Sequence, residues 1–201
     1  MSLTATHEVL SDRLLPAEGM FLWIKRVALV VLGISALAIA AKVKFQLPPS
    51  PVPVTLGTFA VLTIGVAYGA RLGLVTVFGY LLIGLLGYDV FANSSAEKNG
   101  LAYMLGGSGG YLLGYVAAIA YLGWATSRGL DKRVESLFGA LLVANALIYV
   151  PGLLWLSGFA ESWAQTFAWG LTPFVIGDLM KLVIAGLLIP AVWKLVGEAR
   201  S

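Results

Sequence analysis

The 201-residue sequence has no cysteine and a single histidine, His7. The first absence excludes disulfides, thiolate metal sites and a cysteine nucleophile. The second removes most zinc and histidine-base chemistry. Charge is scarce too: 11% of residues are Asp, Glu, Lys or Arg, against about 25% in an ordinary soluble domain. The formal charge of +3 is small and scattered, which argues against nucleic acid as a partner. No Gly-x-x-x-x-Gly-Lys-Ser/Thr phosphate loop is present, so an ATP-driven step would belong to another polypeptide. What the chain does have is apolar surface: 59% hydrophobic residues and a mean hydropathy of +0.90. This composition predicts an all-α, polytopic membrane protein with no metal and no cofactor.

A helix that crosses a bilayer needs roughly 17–25 largely apolar residues. On that measure residues 1–201 form one integral-membrane domain, with a polar tail over 1–20 and six transmembrane helices. The spans fall at about 21–41, 55–70, 72–91, 105–126, 137–157 and 171–196. Between the first two lies Phe45-Gln-Leu-Pro-Pro-Ser-Pro-Val-Pro-Val54, in which four prolines within six residues forbid a helix. Its apolar character predicts a loop packed on protein. The stretch 55–91 is too long for one crossing, and Arg71 interrupts it, so a tight turn is expected around Ala70–Gly73. Gly65, Gly69 and Gly73 repeat at spacing four and read as helix packing.

Basic residues set the orientation. With both termini cytoplasmic, the inner side receives nine (Arg13, Lys25, Arg26, Arg71, Arg128, Lys132, Arg133, Lys194 and Arg200) and the outer side three (Lys42, Lys44 and Lys98). A cleaved signal peptide is not expected: Lys25-Arg26 sits late, the first apolar run is long enough to span, and cleavage would scatter the basic loops over both sides.

An ionisable side chain at mid-helix costs about 2.5–3.5 kcal/mol on insertion scales. The sixth span carries two, Asp178 and Lys181, three apart and so on one helical face. They are either a structural bridge facing the bundle interior or the polar grip of a ligand pocket, and a bridge alone is often replaceable by apolar packing. Asn145 and Tyr149 share a face of the fifth span. Gly106-Gly-Ser-Gly-Gly110 opens the fourth, followed by Tyr111. Its glycines allow close helix approach through Gly110-x-x-x-Gly114, or expose backbone N–H groups to an anion. Under this topology all these features lie in the outer half, which predicts an extracytoplasmic cavity for a small amphipathic acid.

Five segments then carry a resemblance. Val52-Pro-Val-Thr-Leu56, Val90-Phe-Ala92, Gly106-Gly-Ser-Gly-Gly-Tyr-Leu-Leu-Gly114, Asn145-Ala-Leu-Ile-Tyr149 and Gly177-Asp-Leu-Met-Lys181 resemble, in order, the signature segments of the BioY family. These are biotin-binding S-components of energy-coupling-factor (ECF) transporters. The resemblance implies high-affinity biotin capture from outside a bacterial cytoplasmic membrane, in partnership with a T-component and ATPase subunits. It implies that Asp178, Lys181, Asn145 and Tyr149 hold ligand. The Thr55 region and the Phe91/Asn93 segment would close around it, and Ala36-x-x-x-Ala40 would face the T-component. With biotin as ligand, either Lys181 neutralises the carboxylate, or Lys181 holds Asp178 in place and backbone N–H groups near Gly107 and Gly109 take the carboxylate; Tyr111 would face the bicycle. This chain departs from the family pattern at Gly57, Asp89 and Gly107-Ser108. Two other readings are weaker. The same scaffold could carry another vitamin. An intramembrane aspartyl protease would need Asp89 and Asp178 to share a proton, which Lys181 disfavours by stabilising the charged form.

Overall fold

The computed structural model describes residues 9–14, 18–46, 48, 50–95 and 97–198. His7 and Arg200 fall outside this set. Among the described residues the fold is helical, with a single two-rung antiparallel ladder. α1 (Leu10–Leu14) is followed by α2 (Gly19–Lys42), β1 (Lys44–Phe45), β2 (Val54–Thr55) and α3 (Gly57–Leu85). Then come α4 (Gly100–Met104), α5 (Gly109–Ser127), α6 (Val134–Leu156), a 3-10 turn at Ser157–Phe159, α7 (Trp163–Gly170) and α8 (Val175–Glu198). Four helical stretches are long and apolar enough to cross a membrane: Gly19–Lys42, Gly57–Leu85, Val134–Phe159 and Val175–Leu195. Helices suit that setting because they satisfy their own backbone groups where water is absent.

α3 is not one rod. Gly69 has φ +69° and ψ −175°, a conformation essentially reserved for glycine. The chain folds back there, so that Gly73 lies beside Ile64 and Gly65. Residues 57–68 and 70–85 thus form an antiparallel pair, as the length of the apolar stretch requires. The reversal sits at Gly69, not around Ala70–Gly73, and Gly69 is a turn residue where the spacing pattern suggests helix packing. Gly65 and Gly73 do pack, both against Ile119 of α5. Three further glycines bring backbones together: Gly110 lies on Pro151 and Trp155, Gly114 on Ile148 and Gly123 on Ala70. Small residues permit such approach where lipid offers no hydrophobic drive for association.

α2 buries only one stripe, Leu29, Gly33, Leu37 and Ala41, at spacing four. Its other faces expose Phe21, Trp23, Val31 and Ile39. Ala36 and Ala40 line an apolar groove between α2 and residues 56–68. At the opposite end of α2 from the ladder, Val9 covers Gly69 and Lys25 pairs with Asp12 at 2.7 Å. Part of the tail is therefore a short helix docked under the hairpin, its Leu10 and Ser11 buried. Helices α4 and α7 lie in segments that read as loops from sequence.

Candidate functional site

The features with chemistry converge at the end of the bundle where α2 stops and α3, α5 and α8 start. The proline-rich loop docks there: Ser50 Oγ lies 2.6 Å from the Trp169 carbonyl oxygen, and Val52 and Pro53 are buried. The β1–β2 ladder pairs Lys44 with Thr55 and Phe45 with Val54, closing the loop on itself. A cavity of about 600 Å³, counting the space at its mouth, lies beneath it.

Three strata build the cavity. Seven aromatic rings line it, contributed by Tyr80, Phe91, Tyr103, Tyr111, Tyr115, Tyr149 and Phe174. Phe91 is 1% exposed. It stacks on Tyr103 with ring centroids 4.8 Å apart and meets Tyr80 edge-on at 5.3 Å. Tyr149 stands edge-on to Tyr111, whose hydroxyl donates to the Gly170 carbonyl at 2.8 Å. The second stratum is polar. Lys181 Nζ donates to Asp178 Oδ1 at 2.8 Å, to the Thr55 carbonyl at 2.6 Å and to Thr58 Oγ1 at 3.0 Å. Asp178 also accepts from the Tyr149 hydroxyl at 2.7 Å and from Thr58 at 3.3 Å. Asp178 is 3% and Lys181 9% exposed, yet each charge is met by its opposite and by further hydrogen bonds, the condition under which buried ions persist.

The third stratum is a latch at the mouth. Lys42 Nζ reaches Asp89 Oδ1 at 2.5 Å and the Phe91 carbonyl at 2.8 Å. Lys44 Nζ reaches the Ala92 carbonyl at 2.7 Å and Asn93 Oδ1 at 2.8 Å, while Asn93 donates to Gln46 at 3.3 Å. Ser94 adds a bond to Asp89 at 2.5 Å. The Lys42 and Ser94 bonds hold the Asp89 carboxyl below its ordinary pKa. Lys42 at the end of α2 and Lys44 in β1 thereby fasten the segment that carries Phe91.

Of the residues singled out from sequence, Thr55, Phe91, Tyr111, Tyr149 and Lys181 line the cavity, and Asp178 lies directly behind it, bonded to Thr58, Tyr149 and Lys181. Asn93 belongs to the latch. Gly107 and Gly109 lie off the lining. The Gly109 N–H is used in a turn to Gly106, and its α-carbon is pressed between Met104 and Trp155. Trp155 itself donates to the Gly106 carbonyl at 2.9 Å, so the glycines of this run pack, while Ser108 among them lines the cavity. Asn145 is also off the lining, with its Oδ1 buried and unpartnered among the described residues. Thr58, Tyr80, Tyr103 and Tyr115 went unnoticed in the sequence, where a tyrosine inside an apolar run looks like core. Only Tyr115, four residues after Tyr111 and hence on the same face, carried a readable signal.

An apolar helix bundle with an aromatic cavity at one end, and a buried ion pair behind its wall, defines a membrane protein that binds a small molecule. The BioY family profile matches residues 9–198, and the chain belongs to that family. It is 34% identical over 163 residues to the probable biotin transporter BioY of Pyrococcus horikoshii, covering 80% of this chain and 91% of that protein. It is 32% identical over 161 residues to the biotin transporter BioY of Thermotoga maritima, covering 80% and 92%. In fold it is similar to the crystal structure of the S-component for biotin from an ECF-type ABC transporter, with TM-score 0.76 and 20% identity over 89% of this chain and 95% of that one.

Proposed function

We propose that this chain takes up biotin as the substrate-binding S-component of an ECF transporter, and is not an enzyme. In this reading the chain crosses the membrane six times, by α2, the two arms of α3, α5, α6 and α8, and the four helical stretches long and apolar enough to span support it. Both termini then face the cytoplasm of a bacterial cell, and the cavity opens outward. The energy would come from a T-component and ATPase subunits, with Ala36 and Ala40 facing the T-component.

The observation that carries this reading is the Asp178–Lys181 pair placed at the wall of an aromatic cavity. Its net charge is zero, and it offers both an acceptor and donors. A neutral ureido group needs those two complements and adds no charge at depth. A carboxylate placed there would leave one negative charge uncompensated in a low-dielectric region. The ureido ring is therefore assigned to Asp178, Lys181 and Tyr149, and the bicycle to Phe91, Tyr111 and the neighbouring rings. The carboxylate lies toward the mouth, near Lys44.

Equilibrium binding of labelled biotin to the purified full-length protein tests this. Saturable binding competed by desthiobiotin is expected, since desthiobiotin keeps the ureido group. Binding of thiamine or riboflavin in place of biotin would retain the architecture and overturn the ligand.

A further inference from the structure

A second cavity lies at the other end of the molecule, around the α3 reversal. It is an open groove of about 1750 Å³, counting the space at its mouth, between α1, α2, the reversal and the end of α5. Its walls are apolar and outward-facing: Val27 is 59%, Val31 56% and Val75 56% exposed. Trp23 and Tyr68 stand in the same groove. Such amphipathic rings prefer the level where lipid headgroups meet acyl chains.

Two guanidiniums, Arg26 from α2 and Arg71 just past the reversal, line this groove. Among the described residues neither has a hydrogen bond or ion pair. The acid in the groove, Asp12, is already neutralised by Lys25 at 2.7 Å. Ser127 is committed as well, donating to the Trp124 carbonyl at 2.6 Å. The groove therefore presents two unspent, planar positive forks beside a strip of exposed valines. Guanidiniums match phosphate oxygens in geometry, and the valine strip matches an acyl chain. A soluble phosphate would leave that strip bare, and an acidic protein segment would not need it.

We infer that this groove binds one anionic phospholipid of the inner leaflet, its phosphate between Arg26 and Arg71 and one acyl chain along Val27, Val31 and Val75. The site is separate from the cavity proposed for biotin.

The test uses the full-length protein in detergent, titrated with phosphatidylglycerol, phosphatidylcholine or inorganic phosphate, with bound lipid counted by native mass spectrometry and stability followed by thermal shift. One retained phosphatidylglycerol per chain is expected, with a stabilising shift that phosphatidylcholine and phosphate do not give. At about 1 kcal/mol per basic residue, the double variant R26Q/R71Q should bind it roughly thirtyfold more weakly. The charge-matched pair R128Q/R133Q should bind as wild type. If the double variant does not purify, R26Q and R71Q singly should each lose roughly fivefold. Equal retention of phosphatidylcholine, a shift with phosphate alone, or equal losses in both double variants would overturn the proposal. So would a wild type that retains no lipid, which would leave the two arginines to a protein carboxylate.

Discussion

The Tyr149 hydroxyl donates to Asp178 Oδ2 at 2.7 Å, tying α6 to α8 across the cavity wall. Lys181 takes the other oxygen, so the carboxylate is held from two sides and cannot rotate away. Replacing Asp178 by Asn leaves the Lys181 ammonium buried without a counter-charge, which should destabilise the fold by about 3–5 kcal/mol. Biotin affinity should fall by at least about thirtyfold. Lys181→Ala should behave alike, and Tyr149→Phe should cost about 1.5–3 kcal/mol, as expected for a bond to a charged group. Binding isotherms and thermal unfolding on the same samples separate the two effects. Wild-type affinity in both charge variants would return the pair to a purely structural bridge.

Phe91 is gripped between Tyr80 and Tyr103 and roofs the cavity. Phe91→Ala removes a fully buried ring, with an expected loss of about 3–5 kcal/mol. It also opens the roof, so biotin dissociation should accelerate more than association changes. Stopped-flow rates decide the matter: an unchanged dissociation rate would exclude a covering role.

The Lys42–Asp89 latch predicts a particular pH response. Asp89 titrates below its ordinary value in the folded protein, so its contribution is complete above the ordinary carboxylate pKa of about 3.9. It is lost as pH falls through the depressed folded value. Biotin release should therefore show no pH dependence from Asp89 between pH 5 and pH 8 (about one unit or more above that value) and should quicken under stronger acid. Asp89→Asn should quicken release at pH 7 and abolish the acid step. The Asp89 side chain is 63% exposed, so the effect should be modest and should shrink in high salt. A wild-type release rate that is flat down to pH 3 would contradict the latch.

At the α3 reversal, Gly69→Ala forces a side chain into a conformation worth about 1–3 kcal/mol of strain, against Val9 as well. The variant should unfold at lower temperature while Gly65→Ala, which meets Leu122 at 3.0 Å and the Ile119 backbone at 3.4 Å but has no positive φ, loses less. Equal melting temperatures for Gly69→Ala and wild type would show that the hairpin does not depend on this backbone geometry.

The architecture was legible because membrane spans obey a length rule that composition alone reveals, and because a buried Asp and Lys three residues apart stand out in an apolar run. Even the hairpin within residues 57–85 followed from length. Its pivot did not, since Gly65, Gly69 and Gly73 look alike until φ is known at each. The same ambiguity affected the run at Gly106–Gly110. Exposed backbone for an anion and close packing on Trp155 demand the same residue type, and only the turn bond from Gly109 to Gly106 separates them. The aromatic wall was hidden for a different reason. Tyr80, Tyr103 and Tyr115 come from three distant segments, and nothing local marks them as neighbours. Asn145 shares a helical face with Tyr149, yet one turn of depth is enough to take it off the lining.

Lys181 has three acceptors around its ammonium group, and Asp178 accepts three hydrogen bonds. Together they form a cross-brace that joins α8 to α6 through Tyr149 and to the 55–58 segment through Thr55 and Thr58. Any group that takes a bond from Asp178 or Lys181 therefore also loosens a joint between these segments.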